Sequence, residues 1–138
     1  MQKNKKIRLV IDVNVWISAL FSSDFRHRID AVFDPEKYHL LVSKELFDEL
    51  DDAARKPYPA KRIVRSEYEQ LVLLLKTEAE LVKVHSIVDI CRDPKDNYLL
   101  ALTKDGNADY LLTGDSDLRV LKKFEKTKIV DMNEFESL

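Results

Sequence analysis

Glycine is nearly absent from this sequence. Only Gly106 and Gly114 occur in 138 residues, so neither GxGxxG nor GxxxxGK(S/T) can be written, and glycine loops that cradle nucleotide phosphates are excluded. The single cysteine, Cys91, cannot close an internal disulfide, which fits a reducing compartment. With no histidine near it in sequence, Cys91 reads as a buried apolar residue rather than a nucleophile. His27, His39 and His85 are scattered and show no metal-ligand spacing. An excess of one charge is missing too: 23 Lys and Arg stand against 25 Asp and Glu, a net charge of −2. Any contact with nucleic acid must then come from local basic patches. No segment is long enough to span a membrane, and there is no internal repeat, low-complexity tract or linker.

What is present describes one soluble domain, 1–138. The chain is 45% hydrophobic and 35% charged, enough for a core under a well-solvated surface. A basic run (Lys3, Lys5, Lys6, Arg8) precedes the apolar stretch 9–21 and superficially resembles a secretory signal. Asp12 and Asn14 interrupt that stretch, and a carboxylate at a membrane centre costs roughly 2.5–3.5 kcal/mol. No Ala-x-Ala-like site follows. The segment therefore reads as a buried strand running into a helix, in a cytoplasmic protein.

Strands and helices alternate along the chain. Residues 7–11, apolar except for Arg8, suit a buried parallel strand. Helices are expected over 15–21 and 26–33, the second stopped by Asp34-Pro35. A short strand covers 39–42. Ser43 is a good N-cap for a helix reaching about Arg55, broken by Lys56-Pro57-Tyr58-Pro59. Tyr68, Leu71, Val72, Leu75, Ala79 and Val82 form a helical stripe that predicts the longest helix, 65–84. Asp93-Pro94 opens another helix, ended by Gly106. Then come a strand at 110–112, a short helix at 117–124, a strand at 128–130 and a helical turn at 133–136. The pattern predicts an α/β fold, a three-layer α/β/α sandwich around a mainly parallel sheet.

In open parallel sheets, sites form beyond the C-terminal ends of strands. Asp12 ends the first strand, Asp115 follows the strand 110–112, and Glu49 lies within two turns of the helix after 39–42. Asp96 sits in the first turn of the helix opened by Asp93-Pro94. Two carboxylates about 4 Å apart repel by roughly 4 kcal/mol at an effective dielectric of 20, so such a group calls for a cation or a shared proton. Hard divalent cations prefer oxygen ligands, and a cation so held can polarise a phosphoryl oxygen and supply hydroxide. Each acid alone also has a plain reading. A strand-end Asp is often a turn former or cap, Glu49 a solvated helix face, Asp93 the N-cap before Pro94. Asp117 reads as the cap of its own helix or an outlying ligand, and Asn14 as a cap or a support for Asp12. Asp12 stands out because it lies between apolar Ile11 and Val13, where a carboxylate needs a partner.

Four segments carry a family resemblance. Leu9-Val10-Ile11-Asp12-Val13-Asn14-Val15 resembles the opening motif of PIN domains, a strand followed by Asp-x-Asn. Ser43-Lys44-Glu45-Leu46-Phe47-Asp48-Glu49-Leu50 resembles the second, with Glu49 at its acidic position. The stretch 91–101 resembles the third, with Asp96 matching, and 108–118 the fourth, with Asp115 matching and Asp117 a frequent extra. The motifs fall in order over nearly the whole chain. The form is closest to the VapC-like toxins of bacterial and archaeal toxin–antitoxin pairs. Val13 stands where Thr is commoner and Thr103 where Ala is commoner; neither removes a ligand.

The resemblance implies magnesium or manganese binding by Asp12, Asp96 and Asp115, with Glu49 holding an attacking water or a second metal. Asn14 and Thr113 would support the site. It further implies endonuclease cleavage of RNA to 5′-phosphate and 3′-hydroxyl ends, homodimers, and a separately encoded antitoxin. Arg26 and Arg28, the Arg55, Lys56, Lys61, Arg62 and Arg65 cluster, and Arg92 are the cations nominated for RNA phosphates, although most such side chains are simply solvated. Tyr58 could stack on a base; Trp16 reads as core. Two other classes start similarly. A haloacid-dehalogenase-type phosphatase wants a second Asp where this chain has Asn14. A receiver-like module wants paired acids after the first strand, where Asp12 stands alone.

Overall fold

The computed structural model describes residues 5–138, the side chains of Tyr58 and Ala60 excepted. Lys3 of the basic run and the stacking role of Tyr58 thus lie outside the described residues. Strand β1 is Ile7–Ile11, followed by α1 (Val13–Phe21), α2 (Ser23–Ile29) and a 3-10 turn at Asp30–Phe33. Strand β2 (Tyr38–Val42) leads into α3 (Lys44–Arg55), α4 (Pro57–Arg62) and α5 (Arg65–Glu78). Strand β3 (Glu80–Leu81) is followed by a 3-10 turn at Pro94–Asp96, α6 (Asn97–Asp105) and β4 (Tyr110–Leu112). The chain finishes with α7 (Ser116–Arg119), β5 (Lys123–Phe124), β6 (Thr127–Val130) and α8 (Met132–Glu136).

The six strands form one sheet in the order β3-β2-β1-β4-β6-β5. All pairings are parallel except β5 with β6, and flanking helices complete the three-layer α/β/α arrangement. From β1 the chain moves outward to β2 and β3, then returns to the other side of β1 for β4 and β6. The strand order therefore reverses between β1 and β4, where open α/β sheets leave a crevice for ligands.

The central strands are buried on both faces: Leu9, Val10, Ile11, Leu111 and Leu112 are at most 2% exposed. Trp16 is core, with its ring 5.7 Å from Phe33. Arg8, the one charge within β1, donates to the Gly106 carbonyl at 2.9 and 2.7 Å, so its guanidinium is satisfied at the edge of the core.

Several boundaries differ from the sequence expectation: α2 begins at Ser23 and gives way to a 3-10 turn at Asp30–Phe33 rather than running over 26–33, and Asp93-Pro94 opens a 3-10 turn ahead of α6. Helix α5 stops at Glu78, not Val84, because the chain turns extended to cover the edge of β2: Leu41 pairs with Glu80 and Val42 with Leu81. The prolines at 57 and 59 end α3 but do not prevent a helix, since Pro57 occupies the first position of α4, where its missing N–H costs nothing. The helix expected over 117–124 lasts only from Ser116 to Arg119, because Lys122 takes φ 60° and turns the chain into the β5–β6 hairpin.

Gly106 does end α6, by crowding rather than by a left-handed angle; the positive φ, 52°, falls on Asn107. A Cβ at Gly106 would lie 2.9 Å from the Leu41 methyl and 3.0 Å from the Leu102 carbonyl. Gly106→Ala is expected to cost about 1–3 kcal/mol, the usual penalty of overpacking, measured as a shift in the urea midpoint.

Candidate active site

Asp12 follows β1 directly and caps α1, accepting from the Asn14 N–H at 3.2 Å. Its backbone N–H donates to the Leu112 carbonyl of β4 at 2.9 Å, which fixes the carboxylate at the β1/β4 junction. Thr113, fully buried just past β4, donates its hydroxyl to Asp12 Oδ2 at 2.6 Å. The same hydroxyl oxygen accepts from the Asp115 N–H at 3.0 Å. One side chain thus ties the first acid to the loop carrying the fourth. Asp115 caps α7 and accepts from the Asp117 N–H at 2.8 Å. Asp117 is therefore not the cap of its helix; Asp115 is, and Asp117 lies inside the first turn.

Asp96 arrives from the other side of the chain. Asp93 caps the 3-10 turn by accepting from the Lys95 N–H at 3.0 Å. Asn97 Oδ1 accepts from the Cys91 and Ile90 N–H groups at 3.0 and 3.3 Å. These bonds fold 90–97 into a fixed turn with Asp96 at its inner end. Asp96 Oδ2 is buried with no hydrogen-bond partner among the described residues.

The acids meet in one cavity of about 490 Å³, lined by Asp12, Glu49, Asp52, Asp93, Asp96 and Asp115, with Lys56 and Lys95 its cations. Two of these, Asp96 and Asp115, form a set with Asp117, which lies outside the cavity lining; each offers an oxygen within 4.8 Å of the others. Asp12 and Glu49 line the same cavity without belonging to that triad. The crowding shows in the acidities. Burial, then the Asp115 carboxylate facing it, pushes Asp96 up to about 7. Burial likewise raises Asp12 despite the opposing bond from Thr113. Six carboxylates against two ammonium groups, one with an orphaned buried oxygen, fit a hard divalent cation with oxygen ligands.

The Asn14 side chain is exposed and supports Asp12 only through its backbone N–H. Arg92 forks onto both oxygens of Asp117, at 2.8 and 2.9 Å. Of the other nominated cations, Arg26 is engaged with Glu67, Arg28 with Glu136 and Asn133, Arg62 over the Phe21 ring, and Arg65 with Glu69. Lys95 and Tyr98, neither singled out by the sequence, line the cavity. Burial raises the Tyr98 phenol, so it stays protonated. The Cys91 thiol is pushed up to about 11 by burial and nearby acids, which removes it as a nucleophile.

An α/β sheet carrying a carboxylate cluster at its strand-order reversal offers oxygen ligands to a divalent cation. A family model described as PIN domain matches residues 8–117, and the chain belongs to the PIN-domain family, whose members are typically nucleases that use a divalent metal. Two solved structures show the same fold. One is VapBC2 from Rickettsia felis bound to a DNA fragment from their promoter, at TM-score 0.57 and 10% identity, covering 91% of this chain and 98% of that one. The other is PAE2754 from Pyrobaculum aerophilum, at TM-score 0.56 and 16% identity, covering 98% of this chain and 90% of that one. No curated protein matches the sequence. Among the described residues, no helix is long and apolar enough to cross a membrane.

The raised Asp96 acidity sets a pH dependence. Between the ordinary carboxyl value of 3.8 and about 7, the unfolded chain releases a proton that the folded chain keeps. Raising pH through that window therefore favours unfolding, and the penalty is complete above it. In EDTA, thermal stability is expected to fall across this range, with a visibly shallower fall in Asp96→Asn.

Proposed function

We propose that this chain is a one-domain, magnesium- or manganese-dependent endoribonuclease, acting as the toxin of a type II toxin–antitoxin pair. The observation that carries the nuclease reading is the buried, partnerless Asp96 oxygen facing Asp115 in a cavity of converging acids. A protein gains nothing from that arrangement alone, since each unpaired buried charge is costly. A cation held there offsets the cost.

Asp96, Asp115 and Asp117 would hold the cation, with Asp12 across the cavity completing its surroundings. A bound metal would polarise a phosphoryl oxygen, make its water a stronger acid by lowering that water's pKa, and steady the leaving oxygen. Glu49, on the α3 side of the cavity, orients the attacking water and takes its proton. Thr113 keeps Asp12 aimed inward and Asp115 in register with it. Lys56 and Lys95, on the rim, draw the phosphate backbone toward an otherwise repulsive centre. Arg92 is the nominated arginine nearest the acids and sits ready to exchange Asp117 for a phosphate; Arg26, Arg28, Arg62 and Arg65 serve at most the outer track of the strand. The products carry 5′-phosphate and 3′-hydroxyl ends, as in the family.

The antitoxin partner is supported by the likeness to VapBC2, a complex bound to its promoter DNA. A homodimer and a cytoplasmic location complete the proposal.

Asp12→Asn and Asp96→Asn should each abolish magnesium-dependent cleavage of a single-stranded RNA while far-UV circular dichroism stays native. Full activity in either variant, or in EDTA, rules the assignment out; release of phosphate from small esters without RNA cleavage favours a phosphatase instead. Thr113→Val should lower stability by about 1–3 kcal/mol, since it strips a buried carboxylate of its donor, and should reduce turnover in the same assay.

A further inference from the structure

A second cavity, of about 510 Å³, adjoins the acidic one. Asn14 and Asp115 line both, so the two form one continuous surface across the mouth of the β1/β4 crevice. Gly114 lies in its wall, and this glycine is not required by the fold. Its φ is not positive, and a Cβ built on it would meet no atom within 4 Å. Gly106, by contrast, has no room for a side chain. The missing side chain at 114 therefore leaves open space beside an acid of the site without relieving any internal contact.

The chemistry of the walls says what that space would take. Phe25 and Met132 give a partly buried apolar surface. Asn14 and Asn133 set exposed amides at the edges, and no partner among the described residues holds the Asn14 amide. The charges nearby are neutralised in pairs: Arg28 with Glu136, and Asp131 with Arg119 at 2.9 Å. Among the described residues a phosphate finds no free cation there and would face Asp115 and Asp131. An uncharged ring with hydrogen-bonding edges fits instead, and the volume falls in the usual range for small-ligand sites, about 300–1,000 Å³.

We propose that this cavity receives one nucleoside of a single-stranded RNA, the residue next to the phosphate lying over the acids, with Gly114 as the open sill between the two. The ring rests on the Phe25–Met132 surface, and Asn14 and Asn133 read its edge. The proposal rests on the ribonuclease reading of the acidic site and adds a determinant of which nucleotide neighbours the cleaved bond.

The test fills the space. Gly114→Leu adds a side chain at a position where a Cβ meets no atom within 4 Å, and Asn133→Trp fills the same cavity from the exposed face of α8. In the inactive Asp12→Asn background, anisotropy of a short fluorescein-labelled single-stranded oligoribonucleotide is expected to show RNA binding weakened roughly tenfold or more by each filler. Melting temperature and manganese affinity by calorimetry should stay unchanged. In the otherwise wild-type chain, the fillers should shift the sequence preference of the cleavage sites. Unchanged RNA affinity and unchanged cleavage preference in folded fillers would overturn the cavity while wild-type RNA cleavage leaves the nuclease standing. If the wild-type protein cleaves no RNA, the ribonuclease reading fails first and the cavity's occupant with it. A filler that fails to fold is itself a contradiction, because the space would then be part of the core.

Discussion

The Thr113 hydroxyl reaches from the end of β4 to the Asp12 carboxylate at the end of β1, joining residues 101 positions apart. That contact exists only because β1 and β4 are neighbours in the sheet, in register from Leu9 with Tyr110 to Ile11 with Leu112. The rest of the site is built outward from it. Thr113 also anchors the Asp115 backbone, Asp115 starts α7, and α7 brings Asp117 to the same side. Loss of the β1–β4 pairing would scatter the acids, whatever the local helices did.

The cluster is held against its own repulsion. Burial and like charge keep Asp96 and Asp12 protonated to higher pH than ordinary carboxyl groups. Arg92 on Asp117 and the lysines at the rim relieve part of that repulsion, but they do not reach the orphaned Asp96 oxygen. The polypeptide thus stores an electrostatic cost in the folded state that a bound cation would release. Gly114 stands apart from this tension: it concerns shape, and it opens the acidic surface toward a neutral one.

Much of the architecture was legible in order and type. β1, β2, β4 and β6 follow from short apolar runs, and α3 from its Ser43 cap. Two of the misjudged elements were decided by strand pairing. The apolar stripe of α5 continues on paper to Val82, yet the edge of β2 takes 80–81 as a strand because an unpaired strand edge leaves backbone groups exposed. The same holds at 122–124, where a local reversal at Lys122 hands the chain to β6. For 80–81, propensity over a few residues cannot weigh a partner that lies about forty residues away.

The sequence by itself determined which acids exist, that they sit at strand ends and helix starts, and that they fall in the family's order. Strand-end position follows from local hydrophobic pattern, which needs no knowledge of distant residues. Only the tertiary structure decided which oxygens come within reach of one another: Asp117 rather than Asp12 completes the tightest triad. It also decided that Lys95 and Tyr98 line the cavity, that Arg92 is held on Asp117 while the other nominated arginines are engaged away from the acids, and that a Cβ at Gly114 would meet nothing within 4 Å. Those outcomes depend on strand order and on where loops end in three dimensions, and neither is written in the spacing of residues along the chain.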